Sequence, residues 1–317
     1  MKQKAVILLN MGGASNEDEI KVFLTNMFND KNILGIPNPI RKLVAFLITR
    51  SRLNAAKENY ARIGGGSPLL GHSKKLAEKL QAALLECEIS LIMRYTPPRA
   101  YEELSRLQAM GISELFLIPL YPQYSTTTTK SSLEEVDAVL EKLAYTPTCH
   151  KIERFYDEPL YTETLIEKIV EQLQGESAEC YDLIFSAHSL PQKVVDRGDP
   201  YEKEVNDHVA ILTKVLETRG IRFNAVHIAY QSKLGPVKWL EPSLESVLER
   251  MENNKVIISP LSFTIDNSET DFELAIEYRE VAEELGFETY RVCRCPNDSE
   301  RFVETLAALY RRMEKEA

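Results

Sequence analysis

Short, β-rich apolar runs alternate with long helical patterns from one end of the chain to the other, and this alternation restricts the fold more than any other feature. The runs cover residues 5–10, 89–95, 115–120, 151–155, 183–186, 225–230, 256–260 and 288–292. Most are nearly continuous in apolar residues, which requires burial on both faces, whereas the stretches between them, such as 73–86 and 132–143, carry apolar residues at helical spacing. Strands buried on both faces and separated by helices form parallel sheets, so the expected class is α/β.

A chain of 317 residues exceeds what one hydrophobic core usually fills. The eight runs fall into two sets of four, and a short internal echo supports the division. Leu117-Ile118-Pro119-Leu120 is matched by Ile258-Ser259-Pro260-Leu261, each followed by a polar loop and an acidic helix starting near Ser132 or Glu269. Two domains are expected, 1–155 and 156–317, with a boundary near residues 156–159. The C-terminal helix, near residues 299–317, can pack on either half.

Charge narrows the partners. With 38 basic and 48 acidic residues, a net charge of -10, the chain has no excess of Lys or Arg with which to displace phosphate counterions. A nucleic-acid partner is not expected; a small molecule is. The five cysteines are odd in number and scattered, unlike a disulfide framework, and no signal-peptide pattern precedes the first strand, so a reducing cytoplasm is the expected location. The longest uncharged apolar run, residues 43–49, is far shorter than the roughly 20 residues of a spanning helix. Arg41, Lys42, Arg50 and Arg52 flank it, which fits a segment lying on a membrane surface or an ordinary core helix with charged ends.

In open α/β sheets, ligands bind beyond the carboxyl ends of the strands. Glycines follow the first strand at Gly12-Gly13 and recur at Gly64-Gly65-Gly66, but neither cluster has the spacing of a dinucleotide or phosphate loop, so tight turns and close backbone approach are their expected use. His188 ends the apolar run 183–187 and should emerge at the sheet's carboxyl edge, where a neutral imidazole can take a proton or bind a borderline metal. Glu269, Glu273 and Glu277 stand at i, i+4 and i+8, on one face of a helix that starts at that same edge. Carboxylates so spaced repel by about a few tenths of a kcal/mol per pair. A solvated acidic face is one account of the row; a path for a hydrated cation is the other. Serine hydrolysis is not expected, because Ser186 and Ser189 lack a Gly-x-Ser-x-Gly elbow. Cys293-Arg294-Cys295 lacks the second pair of a zinc knuckle and reads as structural.

Taken in order, Leu9-Asn10-Met11-Gly12-Gly13, Arg62-Ile63-Gly64-Gly65-Gly66-Ser67-Pro68, Arg94-Tyr95, Tyr121-Pro122-Gln123-Tyr124-Ser125, Ser186-Ala187-His188-Ser189-Leu190-Pro191, Gln231-Ser232-Lys233 and Glu269-Thr270 closely resemble the ferrochelatase family, over nearly the whole chain. The resemblance implies two Rossmann-like, chelatase-type domains, each a four-stranded parallel sheet flanked by helices. It implies insertion of ferrous iron into a porphyrin, protoporphyrin IX, with release of two protons, the terminal step of haem synthesis, and no organic cofactor. By the same pattern His188 and Glu269 are the catalytic pair at the metal side of the ring, and Glu273 and Glu277 continue a line of carboxylates for metal or protons. Arg52, Tyr60, Ser67, Arg94 and Tyr95 match substrate-contacting positions, and Met11 matches a residue facing the opposite side of the ring. Residues 33–52 match a hydrophobic lip that can touch a membrane peripherally.

One imidazole and one carboxylate suit a metal donor, because so few ligands surrender iron to four ring nitrogens that a thiolate cage would keep it from. The chain departs from the family pattern at Asn267, where many members have histidine, and at Tyr230, where tryptophan is common. Asn267 cannot accept a proton, which keeps open a porphyrin- or haem-binding protein of the same fold without efficient insertion; a chelatase for another metal or tetrapyrrole is a separate alternative.

Overall fold

The computed structural model describes residues 3–233 and 235–316. The chain divides into two compact units, one made of residues up to 154 together with those from 298 onward, the other of residues 155–297. Each is built on a four-stranded, wholly parallel sheet.

In the first unit the elements follow as β1 (Lys4–Asn10), α1 (Glu17–Phe28), α2 (Asn38–Arg62), α3 (Leu69–Ala83), β2 (Glu88–Met93), α4 (Ala100–Ala109), β3 (Glu114–Pro119), a π-type turn over Thr126–Lys130, α5 (Ser131–Lys142) and β4 (Thr148–Lys151). The strand order is β2-β1-β3-β4. Central β1 is shut off from solvent from Ala5 through Leu9, and Ile7 and Leu9 join Leu104, Leu117 and Val136 in one apolar cluster. Each such aliphatic side chain contributes about 1.5–3 kcal/mol by leaving water, which is why the runs are so continuous. The C-terminal helix, Glu300–Glu316, belongs to this unit: Tyr310 meets Phe116 edge to face at 4.9 Å, and Glu314 pairs with Lys4 at 2.9 Å.

The glycines do what close approach demands. Gly12 has φ +84°, and a Cβ there would collide with Thr96 Oγ1; at Gly66 a Cβ would collide with the Ser15 carbonyl oxygen. Between them α1 starts on Asn16, whose side chain accepts the Glu19 N–H at 3.1 Å while the Glu19 carboxylate accepts the Ser15 N–H at 2.9 Å, a reciprocal cap.

The second unit runs α6 (Pro159–Leu173), β5 (Asp182–His188), α7 (Gln192–Val195), α8 (Tyr201–Thr218), β6 (Ala225–Gln231), α9 (Leu244–Leu248), β7 (Lys255–Pro260), a π-type helical stretch over Glu269–Glu277, α10 (Tyr278–Glu284) and β8 (Thr289–Val292). Its strand order, β6-β5-β7-β8, repeats the first unit's pattern of crossovers. The internal echo in the sequence coincides with matching backbone. After Pro119 the Leu120 N–H donates to Leu9 O at 2.7 Å, and after Pro260 the Leu261 N–H donates to Ser186 O at 2.8 Å. A π-type turn follows the third strand in both units.

Several boundaries differ from the sequence reading, most by one or two residues, and three of them bear on the fold. β4 occupies Thr148–Lys151 rather than residues 151–155, because its partner Glu114–Leu117 pairs with the polar stretch. Ile152 and Phe155, which suggest the later position, are buried beyond the strand's end. α3 begins at Leu69, four residues before 73, with Leu69 and Ser73 both buried. β5 continues through Ala187 to His188, which carries the histidine on the strand itself.

Among the described residues no helix is long and apolar enough to cross a membrane. On α2, however, Ile40, Leu43, Phe46 and Leu47 all lie exposed along one stretch of helix.

Candidate functional site

The carboxyl edge of the second sheet assembles a group of polar side chains from three elements. Register pairs His188, the last residue of β5, with Gln231, the last of β6. The strand end is tied from several sides. The His188 N–H donates to Ser262 Oγ at 2.8 Å, the Tyr201 hydroxyl donates to the His188 carbonyl at 2.9 Å, and the Ser189 N–H donates to the Gln231 carbonyl at 2.8 Å.

Glu269 begins the π-type stretch, and Asn267 sets its position. The Asn267 Oδ1 accepts the Glu269 N–H at 2.8 Å, its Nδ2 donates to the Ile265 carbonyl at 3.1 Å, and its own N–H donates to Thr270 Oγ1 at 2.9 Å. Buried Asp266 anchors the preceding loop by accepting the Cys295 N–H at 3.1 Å and the Asn297 amide at 2.7 Å. Asn267 thus satisfies one backbone N–H that the start of the helical stretch leaves open and one carbonyl of the loop before it.

His188 Nδ1 lies 2.9 Å from Glu269 Oε2. The two side chains are 37% and 27% exposed, so the pair is reachable from outside yet held in a largely protein environment. Burial opposes charging of the imidazole, but the Glu269 charge and hydrogen bond more than offset it and hold the His188 pKa above its ordinary value. For Glu269 burial again favours the neutral form, and His188 together with the Ser232 hydroxyl overrides it, so the carboxyl ionises more readily than usual. With Glu269 ionised and the imidazole neutral, the contact places the ring hydrogen on Nδ1 and leaves Nε2 its lone pair. Neither Nε2 nor Glu269 Oε1 has a hydrogen-bond partner among the described residues.

Glu273 is drawn in beside this pair. Its Oε1 accepts the Ser232 N–H at 2.7 Å, and its Oε2 accepts the Ser232 hydroxyl and, at 3.3 Å, the Gln231 amide. Ser232 Oγ also lies 2.9 Å from Glu269 Oε2. Burial, reinforced by the Glu269 charge, pushes the Glu273 carboxyl up to about 7. Glu277, at the far end of the stretch, is exposed. Of the three carboxylates that stand in a row in the sequence, the structure gathers two around one serine. From sequence, Gln231 and Ser232 are visible only as parts of a motif. Their contacts depend on strand pairing, and Ser232 also adopts φ +65°, a conformation that no composition pattern marks.

In the first unit Met11 follows β1, and Arg52 and Tyr60 lie on α2, Arg52 exposed and Tyr60 buried. Buried Ser67 donates its N–H to the Ala14 carbonyl at 2.6 Å, closing the glycine loop against the turn after β1. Arg94 and Tyr95 serve a buried carboxylate. Asp30 takes the Tyr95 hydroxyl at 2.9 Å, an Arg94 ion pair at 3.0 Å and the Ser131 hydroxyl, while Arg94 also reaches Glu135 at 3.2 Å. Tyr95 is 1% exposed, and burial together with Asp30 pushes its hydroxyl well above the usual phenol range. All five cysteines are free, and Cys293 and Cys295 are buried, their thiols held neutral by desolvation.

Known proteins share this arrangement of sequence and fold. The ferrochelatase of Sulfurimonas denitrificans is 52% identical over 315 residues, covering 99% of this chain and 100% of that one. The ferrochelatase of a Nitratiruptor species is 51% identical over 311 residues, covering 98% and 100%. Among solved structures, SirB from Bacillus subtilis with Fe3+ superposes with a TM-score of 0.56 at 11% identity, over 98% of this chain and 95% of that one, a likeness of fold. The ferrochelatase family pattern matches residues 3–314, and the chain belongs to the ferrochelatase family.

Proposed function

We propose that this protein inserts Fe2+ into a porphyrin, with protoporphyrin IX as the expected substrate, releasing two protons and yielding haem. Membership of the ferrochelatase family supports the reaction, and the observation that carries the site is the 2.9 Å contact between His188 Nδ1 and Glu269 Oε2. That contact uses one nitrogen of the ring and one oxygen of the carboxylate. The remaining Nε2 and Oε1 are the atoms left to meet a pyrrole proton or an incoming metal ion.

Insertion requires that two N–H protons leave the macrocycle while iron sheds water. His188 Nε2 accepts a proton in this reading, and the adjacent carboxylate stabilises the imidazolium that results. Glu269 Oε1 offers ferrous iron one oxygen ligand, and a pair of ligands of this kind releases a metal readily to four ring nitrogens. Glu273, and Glu277 beyond it, lead from the pair toward solvent along the π-type stretch.

Met11, Arg52, Tyr60 and Ser67 are the porphyrin-contacting residues of the first unit in this proposal, whereas Arg94 and Tyr95, which match substrate-contacting positions in the family pattern, are engaged with Asp30 instead. Fe2+ enters as substrate, and the reaction calls for no organic cofactor. The exposed apolar residues of α2, flanked by Arg41, Lys42 and Arg50, fit peripheral membrane contact through residues 33–52 of a cytoplasmic protein.

The test is anaerobic mixing of the protein with free-base porphyrin and Fe2+, followed by absorption. Turnover by the unmutated protein that falls on the order of 100-fold in both His188→Ala and Glu269→Gln is expected. Tight porphyrin binding with no turnover would overturn the assignment.

A further inference from the structure

Ser232 sits in the left-handed backbone region, at φ +65°, although it carries a side chain. A non-glycine residue there is strained, and such strain persists where the surrounding structure or the function holds it. Glycine at this position would be relaxed. What serine adds is one hydroxyl, which lies 2.9 Å from Glu269 Oε2 and bonds Glu273 Oε2 as well. The backbone N–H of the same residue donates to Glu273 Oε1 at 2.7 Å, so both polar groups of Ser232 converge on two carboxylates four positions apart.

Behind Ser232 the arrangement is braced. Ser186 Oγ donates to Gln231 Oε1 at 2.6 Å, and the Gln231 amide nitrogen reaches Glu273 Oε2 at 3.3 Å. Ser186 and Gln231 are fully buried, on adjacent strands of one sheet. The chain of contacts thus runs from the sheet core through Gln231 and Ser232 to the carboxylates. The shared hydroxyl holds the two carboxyl groups side by side and fixes which oxygen of Glu269 faces His188.

We propose that Ser232 is a positioning residue for metal insertion: its hydroxyl, held in place by a strained backbone, ties Glu273 to Glu269 and leaves Glu269 Oε1 free. This rests on the insertion reading above. The left-handed conformation is retained for the sake of the hydroxyl, a cost in stability accepted for function.

Two substitutions separate the hydroxyl from the backbone. Ser232→Gly and Ser232→Ala both remove it, but glycine relieves the strain and keeps the N–H bond to Glu273, whereas alanine keeps the strain. In the anaerobic insertion assay, kcat is expected to fall on the order of tenfold in both, with the KM for porphyrin unchanged within about twofold. Melting temperatures should instead diverge, with glycine at or above the unmutated protein and alanine at or below it. A glycine variant with unmutated kcat overturns the proposal, and this variant decides the matter alone should alanine fail to fold. If the unmutated protein inserts no iron, the insertion reading fails by itself. Ser232 is then judged by the ring nitrogen chemical shifts of His188 in Ser232→Gly: a displacement supports the tie to Glu269, and unchanged shifts overturn it.

Discussion

His188 and Glu269, 81 positions apart in sequence, share a 2.9 Å contact in which the strand end supplies the ring and the π-type stretch supplies the carboxylate. Because burial alone would lower the histidine pKa, the glutamate is what holds it above 6.5. Glu269→Gln removes the larger of the two carboxylate charges that oppose burial and leaves only that of Glu273. NMR of the histidine ring should therefore show a lower His188 midpoint in the variant than in the unmutated protein; equal midpoints would contradict the coupling. The sign for stability follows. The contribution of a histidine with a raised pKa is present at low pH and is lost as pH rises through that pKa, while that of Glu269, whose pKa is lowered, is lost as pH falls through its own.

Glu273 behaves in the opposite way to an ordinary acid. Its carboxyl is raised from 4.5 to about 7, so the folded state favours the protonated form, and stability drops as pH climbs across that interval. Glu273→Gln mimics the protonated form permanently. At about pH 8 the variant should be more stable by about 1–3 kcal/mol, a difference that shrinks toward zero near about pH 4.5. Denaturant midpoints across this pH range measure it, and a pH-independent difference would refute it.

Asn267 is expected to act on stability through the start of the helical stretch. Asn267→Ala removes the acceptor for the Glu269 N–H and should cost about 0.5–2 kcal/mol, whereas Asn267→Asp keeps an acceptor oxygen and should recover most of it. Equal losses in urea unfolding would show that the amide donation to Ile265, and not the cap, matters.

Asp30 carries a different burden. It receives Tyr95, Arg94 and Ser131 in a buried setting, so Asp30→Ala leaves Arg94 with Glu135 as its remaining ion-pair partner. A loss of about 2–4 kcal/mol in denaturant unfolding is expected, against about 1 kcal/mol for Tyr95→Phe, which removes one donor. Similar losses for both would mean that the hydroxyl, and not the ion pair, holds this end of β2.

Much of this is legible in the sequence for a plain reason. Strands buried on both faces, such as β1 and β5, leave continuous apolar runs, and His188 is visible because it ends one of them. The position of β4 is not, because it is a polar edge strand and the apolar residues lie beyond it. Glu269 is visible at the start of an acidic row, but residue spacing alone does not distinguish a π-type stretch from an α-helix. The role of Ser232 is hidden, since it depends on the register of β6 against β5 and on one positive φ. Asn267 reads as a missing histidine; in the structure it is a cap.

The short outer strands also bear on behaviour in concentrated solution. β4 and β8 each have four residues and carry charged side chains that are already occupied: Lys151 with Asp137 at 2.6 Å, and Arg291 with Glu176 at 2.6 Å. A border so brief and so charged offers another molecule little backbone to pair with. Samples at the concentrations that NMR requires should therefore resist strand-to-strand association at these two borders.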